Sequence, residues 1–184
     1  MTEIASQNQL RMSYTRWALV MVPLMILLGS LSGILSNSGY NNHWFAALAR
    51  PAMMPPAWAF PVAWTILYAL MGLSLALILD ARRASGRRLA VGLFILQLVL
   101  NLAWSPVFFA LHKVHFAVLL IVMILVAAIA TVIAFKRIRP LAAYLLVPYL
   151  LWLSFAAVLN YQIDQLNPNA AHLGTAAGTA HIDG

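Results

Sequence analysis

A chain of 184 residues that is 64% hydrophobic and 8% charged is not an ordinary soluble enzyme, a class that runs at about 45–50% apolar and about 25% charged. Disorder is excluded too, because it needs the opposite balance. The net charge of +7 would suggest nucleic acid in a soluble chain, but in an apolar one basic residues collect in the connectors that set topology, so no nucleic-acid partner is expected.

Crossing the hydrocarbon core takes roughly 20 helical residues. On that measure the chain reads as an all-α integral membrane protein, a bundle of five transmembrane helices. Residues 1–16 form a polar N-terminal tail. The run 17–36 is apolar for 20 residues after Arg11 and Arg16. It is longer than the ~7–15-residue core of a signal peptide, so it reads as the first span. Pro23 is placed to kink it, and Gly29 and Gly33 make a GxxxG packing motif. Residues 37–57 read as a shaped loop rather than a helix, because Pro51, Pro55 and Pro56 fix φ and remove donors.

The second span covers about 58–79, with Pro61 tolerated in its first turn. A connector with Arg82, Arg83, Arg87 and Arg88 follows. The third span is about 89–111 and the fourth about 116–135, joined by the short turn His112–His115. Lys136, Arg137, Arg139 and Pro140 precede the fifth span, about 141–163. Residues 17–164 thus form the transmembrane domain, and residues 165–184 read as a disordered tail. Five spans put the termini on opposite sides. Nine Lys and Arg residues fall with the N-terminus, and only Arg50 and Lys113 fall opposite. That bias predicts a cytoplasmic N-terminus, with the proline-rich loop and the C-terminus outside. Helical spans make a bacterial-type cell membrane the default location.

The five spans contain no Asp, Glu, Lys, Arg or His. An ion-coupled carrier needs such groups inside the bilayer. Hydrolytic acid–base chemistry lacks its residues as well, so no catalytic residue is assigned. Cysteine is absent, and the five histidines fall in loops or tails, so no metal site and no resident cofactor are expected.

What the spans do contain is aromatic and amide. The second span carries Pro61, Trp64 and Tyr68 on one helical face. Gln97, Asn101, Trp104, Ser105 and Phe108 share a face of the third. Tyr149, Trp152, Ala156 and Asn160 share a face of the fifth. A lone amide in hydrocarbon costs several kcal/mol, so the three stripes should face one another. The fourth span offers only Thr131 and should face lipid or neighbouring helices. Trp17, Trp44 and Trp58 sit at span edges, where an interfacial belt explains them. Trp152 lies 11 residues from either end of its span, where a belt does not. Spacing alone supports helix packing and a ligand pocket equally there.

Three blocks carry a resemblance. The first is Trp44-Phe45-Ala46-Ala47-Leu48-Ala49-Arg50-Pro51, continued by Pro55-Pro56-Ala57-Trp58-Ala59-Phe60-Pro61-Val62-Ala63-Trp64-Thr65-Ile66-Leu67-Tyr68. The second runs from Gln97 through Asn101, Trp104, Ser105 and Pro106 to Phe109. The third runs from Val147-Pro148-Tyr149 through Trp152 and Ala156 to Asn160-Tyr161. In order and spacing over about residues 17–165, the chain resembles the TspO/MBR family of tryptophan-rich sensory proteins and translocator proteins, also called peripheral-type benzodiazepine receptors.

The resemblance implies a five-helix bundle, usually a homodimer, with a pocket beneath the loop between the first two spans. It implies binding of porphyrins and other tetrapyrroles, of sterols and of benzodiazepine-type ligands, with links to tetrapyrrole transport, regulation and stress response. It places Trp64 and Trp152 as pocket aromatics, Asn101 and Asn160 as amides, Phe45 as the loop aromatic and Ala156 as a small lining residue. With Tyr68, Trp104 and Tyr149 from the stripes, these form the expected ligand site. Arg50 is expected at the pocket mouth, where it could pair with a propionate.

Two departures stand out. Met53 occupies the place of a usual loop tryptophan. Tyr161 is followed by Gln162-Ile163-Asp164-Gln165, so the basic residue of the proposed sterol motif is missing and strong sterol binding is not expected. The leading expectation is a porphyrin-binding receptor or translocator in contact with membrane lipid. The alternatives are light-dependent porphyrin breakdown and a non-enzymatic assembly partner.

Overall fold

The computed structural model describes residues 7–171 and residue 173. Five units are long and apolar enough to cross a bilayer. They are α1 (Gln7–Leu35), α3 (Ala59–Asp80), α4 (Arg87–Ser105) with a π-helical turn (Pro106–Ala110), α5 (Val114–Ile138), and the pair α6 (Pro140–Leu145) and α7 (Val147–Leu166). A short α2 (His43–Ala47) lies in the loop between α1 and α3. No strand occurs among the described residues.

Three boundaries differ from the sequence reading. The first helix already runs at Gln7, the first described residue, rather than from near residue 17, because residues 7–16 contain neither Pro nor Gly to stop it. The expected loop 37–57 contains α2, whose N-cap is Asn42: its Oδ1 accepts from the Phe45 N–H at 3.0 Å. The expected C-terminal tail is ordered through its first part, since α7 runs to Leu166 and a further turn follows, with Ala170 buried. Residues 1–6, 172 and 174–184, the rest of both expected tails, lie outside the described residues.

Prolines set the breaks. Pro106 has no N–H to offer the carbonyl of Leu102 one turn back. The helix widens there, and the Leu111 N–H reaches Pro106 O, five residues back, at 2.9 Å. The Leu102 carbonyl is not orphaned: the Ser32 hydroxyl of α1 donates to it at 2.6 Å. A Ser32→Ala variant is expected to lose about 0.5–1.5 kcal/mol, the net worth of a hydrogen bond that is only part-buried. A denaturation midpoint in detergent would read this, and an unchanged midpoint would refute it. Pro148 similarly deprives Tyr144 O of its helical partner, and the chain steps from α6 to α7 through Leu146, whose N–H bonds Ala143 O at 3.1 Å.

Packing of α1 on α3 depends on two glycines. A Cβ on Gly72 would sit 2.7 Å from the Cα of Val22, and one on Gly29 would enter the ring of Tyr68. Without a side chain at Gly72 the backbones approach closely, the device of small residues between membrane helices, and at Gly29 the missing side chain makes room for a ring. Deeper in the bundle Phe94 of α4 stacks on Phe135 of α5 at 5.8 Å. The Ser74 hydroxyl of α3 donates to Ala142 O of α6 at 2.7 Å. Thr131 is buried and donates to Ala127 O in its own helix, so α5 presents no polar group to lipid at that level. Outward faces carry Val62, Ile66, Val99, Val126 and Leu151, all exposed. Water cannot cover so apolar an exterior favourably, and the chain is an integral membrane protein.

The basic connectors meet at one end. Arg87 donates from Nε to Ile78 O and from Nη2 to Leu79 O, both at 3.0 Å, satisfying the terminal carbonyls of α3. Arg139 lies 3.7 Å from Asp80 and ties the α5–α6 junction to the same helix end.

Candidate ligand pocket

At the end opposite the arginine connectors, α1, α3, α4, the π turn, α5 and α7 line a cavity of about 740 Å³. The loop between α1 and α3 borders it with Asn37 to Asn41, Phe45 and Met54. Each expected stripe delivers side chains to it. From α3 come Trp64 and Tyr68, from α4 Asn101 and Trp104, and from α7 Trp152, Ala156 and Asn160.

The aromatic rings form one connected wall. Trp64 stacks on Tyr68 at 5.4 Å and meets Trp152 edge-on at 6.4 Å and 82°. Phe60, one turn before Trp64, is also edge-on to Trp152 at 5.9 Å. On the facing side Trp104 stacks on Phe108 at 4.9 Å, and Phe45 from α2 meets Phe109 at 5.3 Å. Offset and edge-on pairs of this kind hold the rings at fixed angles. The π turn matters here, because it rotates Phe108 and Phe109 together onto the cavity and α2.

The amides are tied down. The Tyr68 hydroxyl donates to Asn101 Oδ1 at 2.7 Å, and Trp104 Nε1 donates to Asn160 Oδ1 at 3.0 Å. Asn160 Nδ2 reaches Val114 O at 3.4 Å. Trp152 differs: its indole N–H is buried and has no hydrogen-bond partner among the described residues. A buried donor left open is uncommon and calls for an acceptor.

One expected site residue falls elsewhere. Tyr149 does not line the cavity. It is 1% exposed, packs beneath Trp64 at 6.5 Å, and donates to Gln97 Oε1 at 2.7 Å. A hydroxyl in hydrocarbon must find an acceptor, and Gln97 lies deeper on α4 than Asn101. Arg50, expected at the mouth, stays outside the lining and sits on the loop beside it. Its guanidinium lies 4.8 Å over Tyr40 and 5.4 Å over Phe45, two rings that do.

The loop also departs from expectation at Met53, which is exposed, while Met54 reaches the cavity. Trp44 is not an interfacial residue. It is 6% exposed, donates from Nε1 to Ala170 O at 2.8 Å and stacks on His112 at 4.3 Å. Burial there lowers the His112 pKa, partly offset by a hydrogen bond with the Phe109 backbone. Trp58 does stay exposed.

Sequence reasoning missed Phe60, Phe109, Met54, and Ile121 and Ile124 of α5, all of which line the cavity. Phe60 had a signal, one turn before Trp64. Ile121 and Ile124 had none, since an apolar residue on an apolar span carries no directional mark.

Fold and cavity together define a polytopic membrane protein with an interior aromatic pocket, of a volume within the ~300–1,000 Å³ usual for small-molecule sites. Residues 20–166 match the TspO/MBR family. The chain is 41% identical over 126 residues to the tryptophan-rich protein TspO of Chlorobaculum tepidum, covering 68% of this chain and 80% of that one. It is 40% identical over 140 residues to the translocator protein of Sus scrofa, covering 73% and 83%. Identity to the tryptophan-rich sensory protein of Cereibacter sphaeroides is 37% over 128 residues, covering 70% and 79%. The chain belongs to the TspO/MBR family.

Proposed function

We propose that the protein is a receptor or translocator of the membrane that binds porphyrins and related flat, apolar ligands in the aromatic cavity, with a role in tetrapyrrole transport, regulation or stress response. The observation that carries this reading is the wall formed by Trp64, Trp104 and Trp152 around one interior volume. A porphyrin is a broad apolar ring with carboxylates on its rim. Indole faces suit the ring. Arg50 at the loop suits a propionate. No histidine lines the cavity among the described residues, so the reading favours a tetrapyrrole that needs no axial ligand from the protein. Adding protoporphyrin IX to the purified protein should quench its tryptophan fluorescence saturably. A purely linear, non-saturating loss would remove the proposal.

A second reading draws on the same three indoles: oxygen- and light-dependent breakdown of the bound porphyrin. It requires the Soret band to fade faster with protein than without. Orientation follows from the basic connectors at the Asp80–Arg139 end, which we place on the cytoplasmic side, with the cavity loop outside. In this reading the protein sits in a bacterial-type cell membrane as a homodimer.

A further inference from the structure

The segment joining α2 to α3 contains Pro51, Pro55 and Pro56 and has no helix to satisfy its backbone. One of its residues has both backbone groups held by a side chain from the far end of the sequence. Asn167 Oδ1 accepts from the Ala49 N–H at 2.8 Å, and Asn167 Nδ2 donates to Ala49 O at 2.9 Å. The second Nδ2 hydrogen goes to Ile163 O at 2.8 Å, which fixes the side chain to the last turn of α7. A side-chain amide carries a donor and an acceptor side by side, so it can pair with both groups of one residue at once. Three residues on, Ala170 O accepts from the Trp44 indole, so the same short stretch also grips α2.

Ala49 lies between Phe45, which lines the cavity, and Arg50, whose guanidinium covers Phe45. The helix bearing the clamp is the one that supplies Trp152, Ala156 and Asn160 to the wall. We propose that Asn167 is a positioning residue that clasps the α2–α3 loop across the end of the cavity and so sets how long a ligand stays inside. The statement about residence rests on the porphyrin reading above, whereas the statement about the loop does not.

Full-length Asn167→Leu, similar in shape but without donor or acceptor, tests both parts. Hydrogen exchange of the segment 46–54 should accelerate while the spanning helices keep their protection. Protoporphyrin IX should leave about tenfold faster in a displacement experiment, as expected from the loss of two hydrogen bonds. Asn167→Asp keeps the acceptor for Ala49 N–H but sets a carboxylate oxygen against Ala49 O and Ile163 O, so it should match or exceed Asn167→Leu in both measurements. A purely structural role would instead loosen α7 and lower the melting temperature without these loop-specific changes, and that pattern overturns the proposal. Faster loop exchange with unchanged porphyrin dissociation overturns the residence part. Should wild type fail to bind porphyrin, the ligand reading falls, and loop exchange alone decides: unaltered protection of Ala49 in Asn167→Leu sinks the clasp, accelerated exchange supports it.

Discussion

Replacing Trp152 by alanine is expected to weaken protoporphyrin IX binding at least about tenfold, and the pair Trp64→Ala with Trp152→Ala to bring it below detection. Each indole offers a large apolar face, and aromatic pairing adds about 0.5–1.5 kcal/mol beyond the area buried. The two rings stand 6.4 Å apart at 82°, so a flat ligand lying on one meets the edge of the other. Removing Trp152 also removes a buried indole donor that has no partner among the described residues. The readout is a fluorescence titration of the remaining tryptophans, or the Soret shift of the porphyrin. Trp58→Ala serves as the control, because Trp58 is 68% exposed and outside the cavity lining. Equal loss in all three variants, or none in any, would detach binding from this pocket.

Gly72→Val should be the most damaging single change to the fold. Its Cβ would lie 2.7 Å from the Cα of Val22 and 2.9 Å from Met21 O, both backbone atoms that cannot rotate away. Overpacking typically costs about 1–3 kcal/mol, and a clash with backbone belongs at the top of that range or above it. We expect the α1–α3 contact to part and the melting temperature in detergent to fall. Porphyrin affinity should fall with it, since Ile26 and Gly29 of α1 line the cavity. Gly92→Val tests the reasoning: a Cβ there meets open space, so its midpoint should hardly move. If both glycine variants behave alike, close backbone approach is not what fixes α1.

Much of the pocket was legible beforehand because amides and indoles are conspicuous in an apolar span. Asn101 and Asn160 had to find partners, and they face Tyr68 and Trp104 across the bundle. The same rule misplaced Tyr149, since a polar group is satisfied equally well by a cavity or by a buried neighbour, and Gln97 was the neighbour. Trp44 was misread for a related reason. Position near a span edge suits both a lipid-facing ring and a buried one, and only the folded-back Ala170 carbonyl separates the two.

Local composition was enough to determine the five spans, the break at Pro140, and the faces on which polar groups recur, whereas the interruptions at Pro106 and Pro148 lie inside runs that read as continuous helix. The former depend on the hydrocarbon thickness and on helical periodicity, both of which act along the chain. Tertiary structure alone decided that the Leu102 carbonyl is met by Ser32, that Gly72 admits Val22, and that Asn167 reaches back 118 positions to Ala49. Those pairings join residues far apart in sequence, and no periodicity encodes which distant group will arrive to satisfy a given backbone carbonyl or fill a given gap.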